Sequence, residues 1–147
     1  MGRIIVGVDG SEHSLEALRW AVDEAALRHA TVEVYSAWTY PVMATDGMAG
    51  GAYVSGLDPE TLQAAARSNL ESAVKTTVPD EATRAGLTLV VVEGSAGRAL
   101  VEASKGADLL VVGSRGHGGF ANLLLGSVSS QCVHHAHCPV TVIRSAD

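Results

Sequence analysis

The residues most able to do chemistry lie between Gly113 and Ser127, in the stretch Gly-Ser-Arg-Gly-His-Gly-Gly-Phe-Ala-Asn-Leu-Leu-Leu-Gly-Ser. Glycines at 113, 116, 118, 119 and 126 let backbone approach a bulky group closely, because no Cβ intervenes. Backbone N–H groups freed in such a loop and followed by a helix start form a site for anions, phosphate above all. Ser114 belongs to the same loop, and Arg115 and His117 add cations that can pair with phosphate. The chemistry expected is therefore the holding of phosphate.

A second short stretch supports this expectation. Asp9-Gly10-Ser11 follows an apolar run, Ile4 to Val8, and precedes a helical pattern. The two loops must meet if they serve one ligand, and the elements around them decide whether they do. Arg3 to Asp9 reads as a first strand, in which Ile4, Ile5, Val6 and Val8 form a near-continuous apolar run, as in a parallel strand covered on both faces. Ser11 is a predicted N-cap, with Leu15, Leu18, Val22 and Ala25 on one face of the first helix. Thr31 to Trp38 is a second strand. The connection from Tyr40 to Leu57, about 18 residues, exceeds the usual length and suits a mobile flap. Asp58-Pro59-Glu60 opens a second helix, whose buried face is predicted to be Leu62, Ala65, Ala66, Leu70, Ala73 and Val74. Pro79 interrupts it, and a short helical turn follows from Asp80.

Leu87 to Glu93 is a third strand, Ser95 caps a short helix through Lys105, and Ala107 to Gly113 is a fourth strand. A last helix runs from about Ser127, its predicted N-cap, to His137. Pro139 stops it before a fifth strand, Val140 to Ile143. Alternation of strand and helix predicts one α/β domain over 1–147: a five-stranded parallel sheet with helices on both faces. Ligands bind such sheets beyond the strand C-termini, where strand order reverses. Of the two common orders, 2-1-3-4-5 places the reversal between the first and third strands and 3-2-1-4-5 between the first and fourth. The glycine loop follows the fourth strand, which favours 3-2-1-4-5. It brings Asp9-Gly10-Ser11 beside the glycine loop, with Ala37 and Trp38 nearby.

Composition excludes several classes. A formal charge of −6, with scattered arginines and only two lysines, argues against a nucleic-acid partner. No apolar run approaches the roughly 20 residues of a membrane span. Met1-Gly2-Arg3-Ile4 leads straight into a strand, without room for a signal peptide. The two cysteines, Cys132 and Cys138, form no CxxC and fit reduced thiols, hence a cytoplasmic protein. The cluster from Cys132 to Cys138, with His134, His135 and His137, offers two or three metal ligands on any one helical face. A structural zinc site wants four.

There is no GxxxxGK[ST] and no GxGxxG after the first strand, so neither the P-loop nor the dinucleotide motif is present. What stands instead is Gly113-x2-Gly116-x9-Gly126-Ser127. With Asp9-Gly10-Ser11 and the ending Ala136-His137-Cys138-Pro139-Val140, it resembles the ATP-binding branch of the universal stress protein family. The resemblance covers essentially the whole chain and implies the 3-2-1-4-5 fold. It further implies that Asp9 and the backbone near Val8 and Ala37 meet the adenine. Val112, Gly113 and Gly116 would meet the ribose and phosphates, while Gly126, Ser127 and Val128 hold the phosphates.

The function expected is a regulatory module that holds ATP, with Mg²⁺ carried on the phosphates near Asp9. Cyclic AMP is the alternative ligand within the family. No acid–base pair or nucleophile with a partner is visible at the loop, so catalysis would be at most slow ATP hydrolysis, with His117 the residue to suspect. An adenylate-forming enzyme would need the paired histidines of HxGH or an SGGxD-type loop, and both are missing. The fifth strand, apolar on both faces, is an edge. Pairing of Val140, Thr141, Val142 and Ile143 with the same strand of a second copy predicts a homodimer.

Overall fold

A computed structural model describes residues 2–40, 42–43, 52–53, 58–116 and 125–145. The chain runs β1 (Arg3–Gly7), α1 (Glu12–Arg28), β2 (Thr31–Trp38), β3 (Val42–Met43), β4 (Ala52–Tyr53), α2 (Pro59–Thr77) and α3 (Glu81–Ala85). It continues β5 (Leu87–Glu93), α4 (Ala96–Ala103), β6 (Leu109–Gly113), α5 (Ser127–His135) and β7 (Val140–Ile143). Five strands form one parallel sheet in the order β5-β2-β1-β6-β7. Counting only these strands in chain order, it is 3-2-1-4-5, as the sequence predicts. The short strands β3 and β4 pair antiparallel inside the long connection. The rest of the expected flap, apart from Tyr40, lies outside the described residues.

Helices α1 to α4 each start where a side-chain cap dictates. Ser11 accepts a bond from Ser14 N–H, Asp58 from Thr61 N–H, Asp80 from Thr83 N–H and Ser95 from Arg98 N–H. Each of these satisfies a donor that the first helical turn cannot. Helix α1 ends at His29 in the left-handed region (φ 55°), its N–H returning to the Ala25 carbonyl. Carboxylates at α2 and α3 gain from their caps: the N–H and hydroxyl bonds of Thr61 and Thr83 hold Asp58 and Asp80 below the usual carboxylate range.

The central strand β1 is what the two layers pack against. Ile4, Ile5 and Val6 are wholly buried, each contributing about 1.5–3 kcal/mol relative to exposure. Ile4, Val6 and Val8 face α1 and α2, joined by Leu18, Val34, Leu70 and Val111. Ile5 faces the other layer with Leu100, Leu110, Val112 and Cys132, from α4, β6 and α5. Gly7 lies against Leu100, where a Cβ would stand 2.7 Å from Leu100 Cδ1.

The N-terminal edge of the sheet is stitched by charge. Arg3 Nε donates to Glu33 at 2.6 Å and a second guanidinium nitrogen at 3.1 Å, while Arg3 N–H reaches Asp108 at 2.7 Å. The Tyr35 hydroxyl donates to Glu33 as well, at 3.3 Å. Burial first, then the Glu33 carboxylate, raises the Tyr35 hydroxyl above its ordinary value.

Two strand boundaries differ from the sequence reading, and α4 and α5 end at Ala103 and His135 rather than at Lys105 and His137. The strand β1 stops at Gly7 rather than Asp9, and β6 begins at Leu109 rather than Ala107. Both ends are set by which residues find ladder partners: β1 and β6 pair from Ile4–Leu109 to Val6–Val111. A further difference concerns α2. Leu70 and Val74 are buried, but Ala65 is exposed and Leu62, Ala66 and Ala73 are only partly covered. The N-terminal half of the helix overhangs an opening instead of the core.

Candidate functional site

That opening is a cavity of about 740 Å³ at the C-terminal edge of the sheet. Its floor is made by the ends of β1, β2, β5 and β6. One wall is α2, with Leu62, Ala65, Ala66, Asn69, Leu70 and Ala73; the other is formed by α4 and the start of α5. The sheet order places β1 beside β6, so the loops after these strands share the rim.

Most of the predicted site residues line this cavity together: Val8, Asp9, Gly10, Ala37, Val112, Gly113, Arg115, Gly116, Gly126, Ser127 and Val128. Ser11 and Ser114 do not. Both are turned to holding the loops. Ser11 donates to Asp9 Oδ1 through its N–H at 2.9 Å and through its hydroxyl, while its own side chain caps α1. Ser114 is 2% exposed, its hydroxyl 3.2 Å from His13 Nδ1. His117 lies outside the described residues.

Close backbone approach explains two of the glycines. A Cβ at Gly113 would stand 2.6 Å from the carbonyl carbon of His13, in the first turn of α1. Strand β6 can end against α1 only without a side chain there. A Cβ at Gly116 would stand 2.5 Å from Asp9 Oδ2. The glycine loop and the Asp9 loop are therefore in direct contact, as the strand order requires.

The start of α5 departs from the sequence reading. Ser127 is not its N-cap. Gly126 is, extended (ψ 174°) and offering no side-chain bond to the first turn. Gly126 is placed there by its own N–H, which donates to the Ser114 carbonyl at 2.7 Å. This fixes the last extended residue at 126, so Ser127 falls at the first helical position and is exposed. The same carbonyl accepts the hydroxyl of the buried Ser129 at 2.9 Å, and that hydroxyl is also 3.1 Å from Gly126 O. The first intrahelical bond runs from Ser130 N–H to Gly126 O at 2.9 Å. Among the described residues, the N–H groups of Ser127, Val128 and Ser129 find no acceptor. Three donors and the positive end of a helix dipole thus face the cavity.

Sequence reasoning missed Ser14, Ser129 and His13. Ser14 is buried; its hydroxyl accepts from Asp9 N–H at 3.2 Å and donates to Ser11 O at 2.9 Å, locking the turn that presents Asp9. The spacing Ser11-x-x-Ser14 carried that signal. Ser129 and His13 had no local signal, because their partners lie 15 and 101 residues away. At the far end of α5, His134 Nδ1 lies 2.8 Å from the Ser130 carbonyl, a bond within the helix. Among the described residues no three His, Cys, Asp or Glu side chains converge as metal ligands would.

This fold, with the Asp9 loop and the glycine loop meeting where the strand order reverses, defines a doubly wound α/β domain. Residues 1–144 match the Universal stress protein family, and the chain belongs to it. A universal stress protein of Mycolicibacterium smegmatis is 36% identical over 146 residues, which are 98% of this chain and 48% of the relative. The chain spans about half the length of the curated relatives it matches. Among solved structures, the universal stress protein UspA from Lactobacillus plantarum superimposes with a TM-score of 0.74 at 24% identity, covering 97% of both chains. A universal stress protein in complex with cAMP superimposes with a TM-score of 0.66 at 28% identity, covering 97% of this chain and 95% of the other. No helix among the described residues is long and apolar enough to cross a membrane.

Proposed function

We propose that this chain binds an adenine nucleotide, with the phosphate at the N-terminus of α5 and the base end toward Asp9. The observation that carries this reading is the uncapped first turn of α5. Its residues line the cavity that Asp9 also lines. A carboxylate repels phosphate and accepts from N–H and O–H donors, so Asp9 and the start of α5 suit different parts of a nucleotide. An exocyclic amine or ribose hydroxyl belongs at Asp9, and the anion at Gly126, Ser127 and Val128. Val8 and Ala37 would border the base, Val112, Gly113 and Gly116 the sugar and phosphates. Arg115, at the same rim, adds positive charge.

The relative in complex with cAMP supports an adenine nucleotide as the ligand class. ATP is our primary assignment, with Mg²⁺ carried on its phosphates; cyclic AMP is the second, favoured by that relative. Holding rather than turnover fits the site, since the described walls carry no lysine that could follow a γ-phosphate. The role is then a nucleotide-bound regulatory module of the stress response. A dimer joined through β7 accompanies it: among the described residues this strand pairs only with β6, which leaves its other edge for a second copy. The free thiols Cys132 and Cys138 fit the reducing cytoplasm.

Heat denaturation of the freshly purified protein, followed by chromatography of what is released, tests the ligand class. ATP, ADP, AMP or cyclic AMP in the supernatant supports the reading. A nucleotide-free protein that also gives no heat with any of the four in calorimetry contradicts it. The rank of the four affinities separates ATP from cyclic AMP.

A further inference from the structure

His13 stands in the first turn of α1 and does not line the cavity, yet its ring joins three segments of the chain. Nδ1 is 3.2 Å from Ser114 Oγ, at the root of the glycine loop, and 3.4 Å from Ser145 N, just past β7. Nε2 is 3.4 Å from Ser145 Oγ. A backbone N–H can only donate, so Nδ1 must carry the lone pair and the proton sits on Nε2. The Ser114 hydroxyl then donates to Nδ1, and Nε2–H donates to Ser145 Oγ. In this tautomer the Ser114 hydroxyl and the Ser145 N–H share the single lone pair of Nδ1.

The consequence falls on α5. Ser114 N–H donates to Ile143 O at 2.8 Å, and the Ser114 carbonyl receives both Gly126 N–H and the Ser129 hydroxyl. Whatever fixes Ser114 fixes the residue that starts α5. We infer that His13, as the neutral Nε2–H tautomer, is a positioning residue: it clamps Ser114 between α1 and the exit of β7 and so sets the first turn of α5. This rests on the proposed reading that the first turn receives phosphate. The clamp itself is a property of the protein without ligand.

Two substitutions separate clamping from space-filling. His13→Asn keeps an acceptor atom at the position of Nδ1; His13→Leu keeps bulk and removes it. The expected results are an Nε2–H imidazole in the long-range ¹H–¹⁵N spectrum of the wild type and slow amide exchange at Gly126. His13→Leu should speed that exchange about tenfold, and His13→Asn should restore it to within about threefold. Affinity for cyclic AMP and ATP should fall and recover in the same order. An Nδ1–H tautomer, or equal Gly126 exchange in the two variants, overturns the inference. Should His13→Leu fail to fold, Ser114→Ala removes the same bond from the other side and is expected to speed Gly126 exchange equally; unchanged exchange overturns the inference. If the wild type binds neither nucleotide, the nucleotide reading fails, while tautomer and exchange still decide the role of His13.

Discussion

Two helices begin at the rim of the same cavity, and they begin differently. Helix α1 closes its own start: Ser11 caps Ser14 N–H, Ser14 holds the turn, and Asp9 accepts from Ser11. Helix α5 starts at a glycine that gives no side-chain cap. Its order comes from behind, through the Ser114 carbonyl and the buried Ser129. One helix start is spent on the protein, and on the proposed reading the other is left for a ligand. Replacing a glycine by serine at position 126 would cap α5 as α1 is capped.

That contrast can be broken most severely at the contact between the two loops. Gly116→Val places branched bulk where even a Cβ would be 2.5 Å from Asp9 Oδ2. Since the clash is with a side-chain end, the carboxylate is expected to swing aside and the fold to persist. Nucleotide affinity should drop at least about 100-fold, roughly 2.7 kcal/mol, with an unchanged circular dichroism spectrum. Calorimetry showing undiminished binding would mean that the two loops do not share a ligand.

Ser129→Ala comes next. It removes the hydroxyl that ties α5 to Ser114, and a cost of about 1–3 kcal/mol in denaturant-measured stability is expected, with binding weakened about tenfold. Gly126→Ala follows, with its Cβ 3.2 Å from Arg115 Cα, a tight but not impossible fit; several-fold weaker binding is expected, and a loss as large as that of Gly116→Val would contradict the account. Ser11→Ala should cost about 1 kcal/mol in stability while changing affinity less than Ser129→Ala does. The reverse ranking of Ser11 and Ser129 in binding would erase the distinction drawn between the helix starts.

The smallest effect concerns the inner face of α5, which holds it to the core. Burial pushes the Cys132 thiol up to about 11 from an ordinary 9.0. The native state keeps its proton where the unfolded chain releases it, so this stability is whole below pH 9 and is lost as pH rises through about 11. Unfolding free energy should fall over that window in the wild type, and the slope should shrink in Cys132→Ala. Near neutral pH the titration should contribute nothing.

The elements that local chemistry specifies were legible in the sequence. Ser11, Asp58, Asp80 and Ser95 announce four helix starts, and the apolar run through Ile4, Ile5 and Val6 announces a strand covered on both faces. The strand order followed from where the glycine loop falls, and with it the meeting of Asp9 and Gly116. What was not legible depends on long-range contacts. Ser127 looks like a cap until the Ser114 carbonyl is seen to fix Gly126 one residue earlier. Ser114 looks like a ligand contact until His13 is seen to hold its hydroxyl. The alanines of α2 look like core because an apolar stripe reads the same whether it meets a sheet or a cavity.

The central claim is that the first turn of α5 takes the phosphate and the Asp9 loop the other end of the nucleotide. An amide-resolved NMR titration of the wild type with cyclic AMP and with ATP tests it most directly. The account predicts the largest shifts at the amides of Gly126, Ser127 and Val128, with a second group at Asp9, Gly10, Gly113 and Gly116. Shifts at the start of α1 or along α2 that leave residues 126–128 unmoved would contradict it.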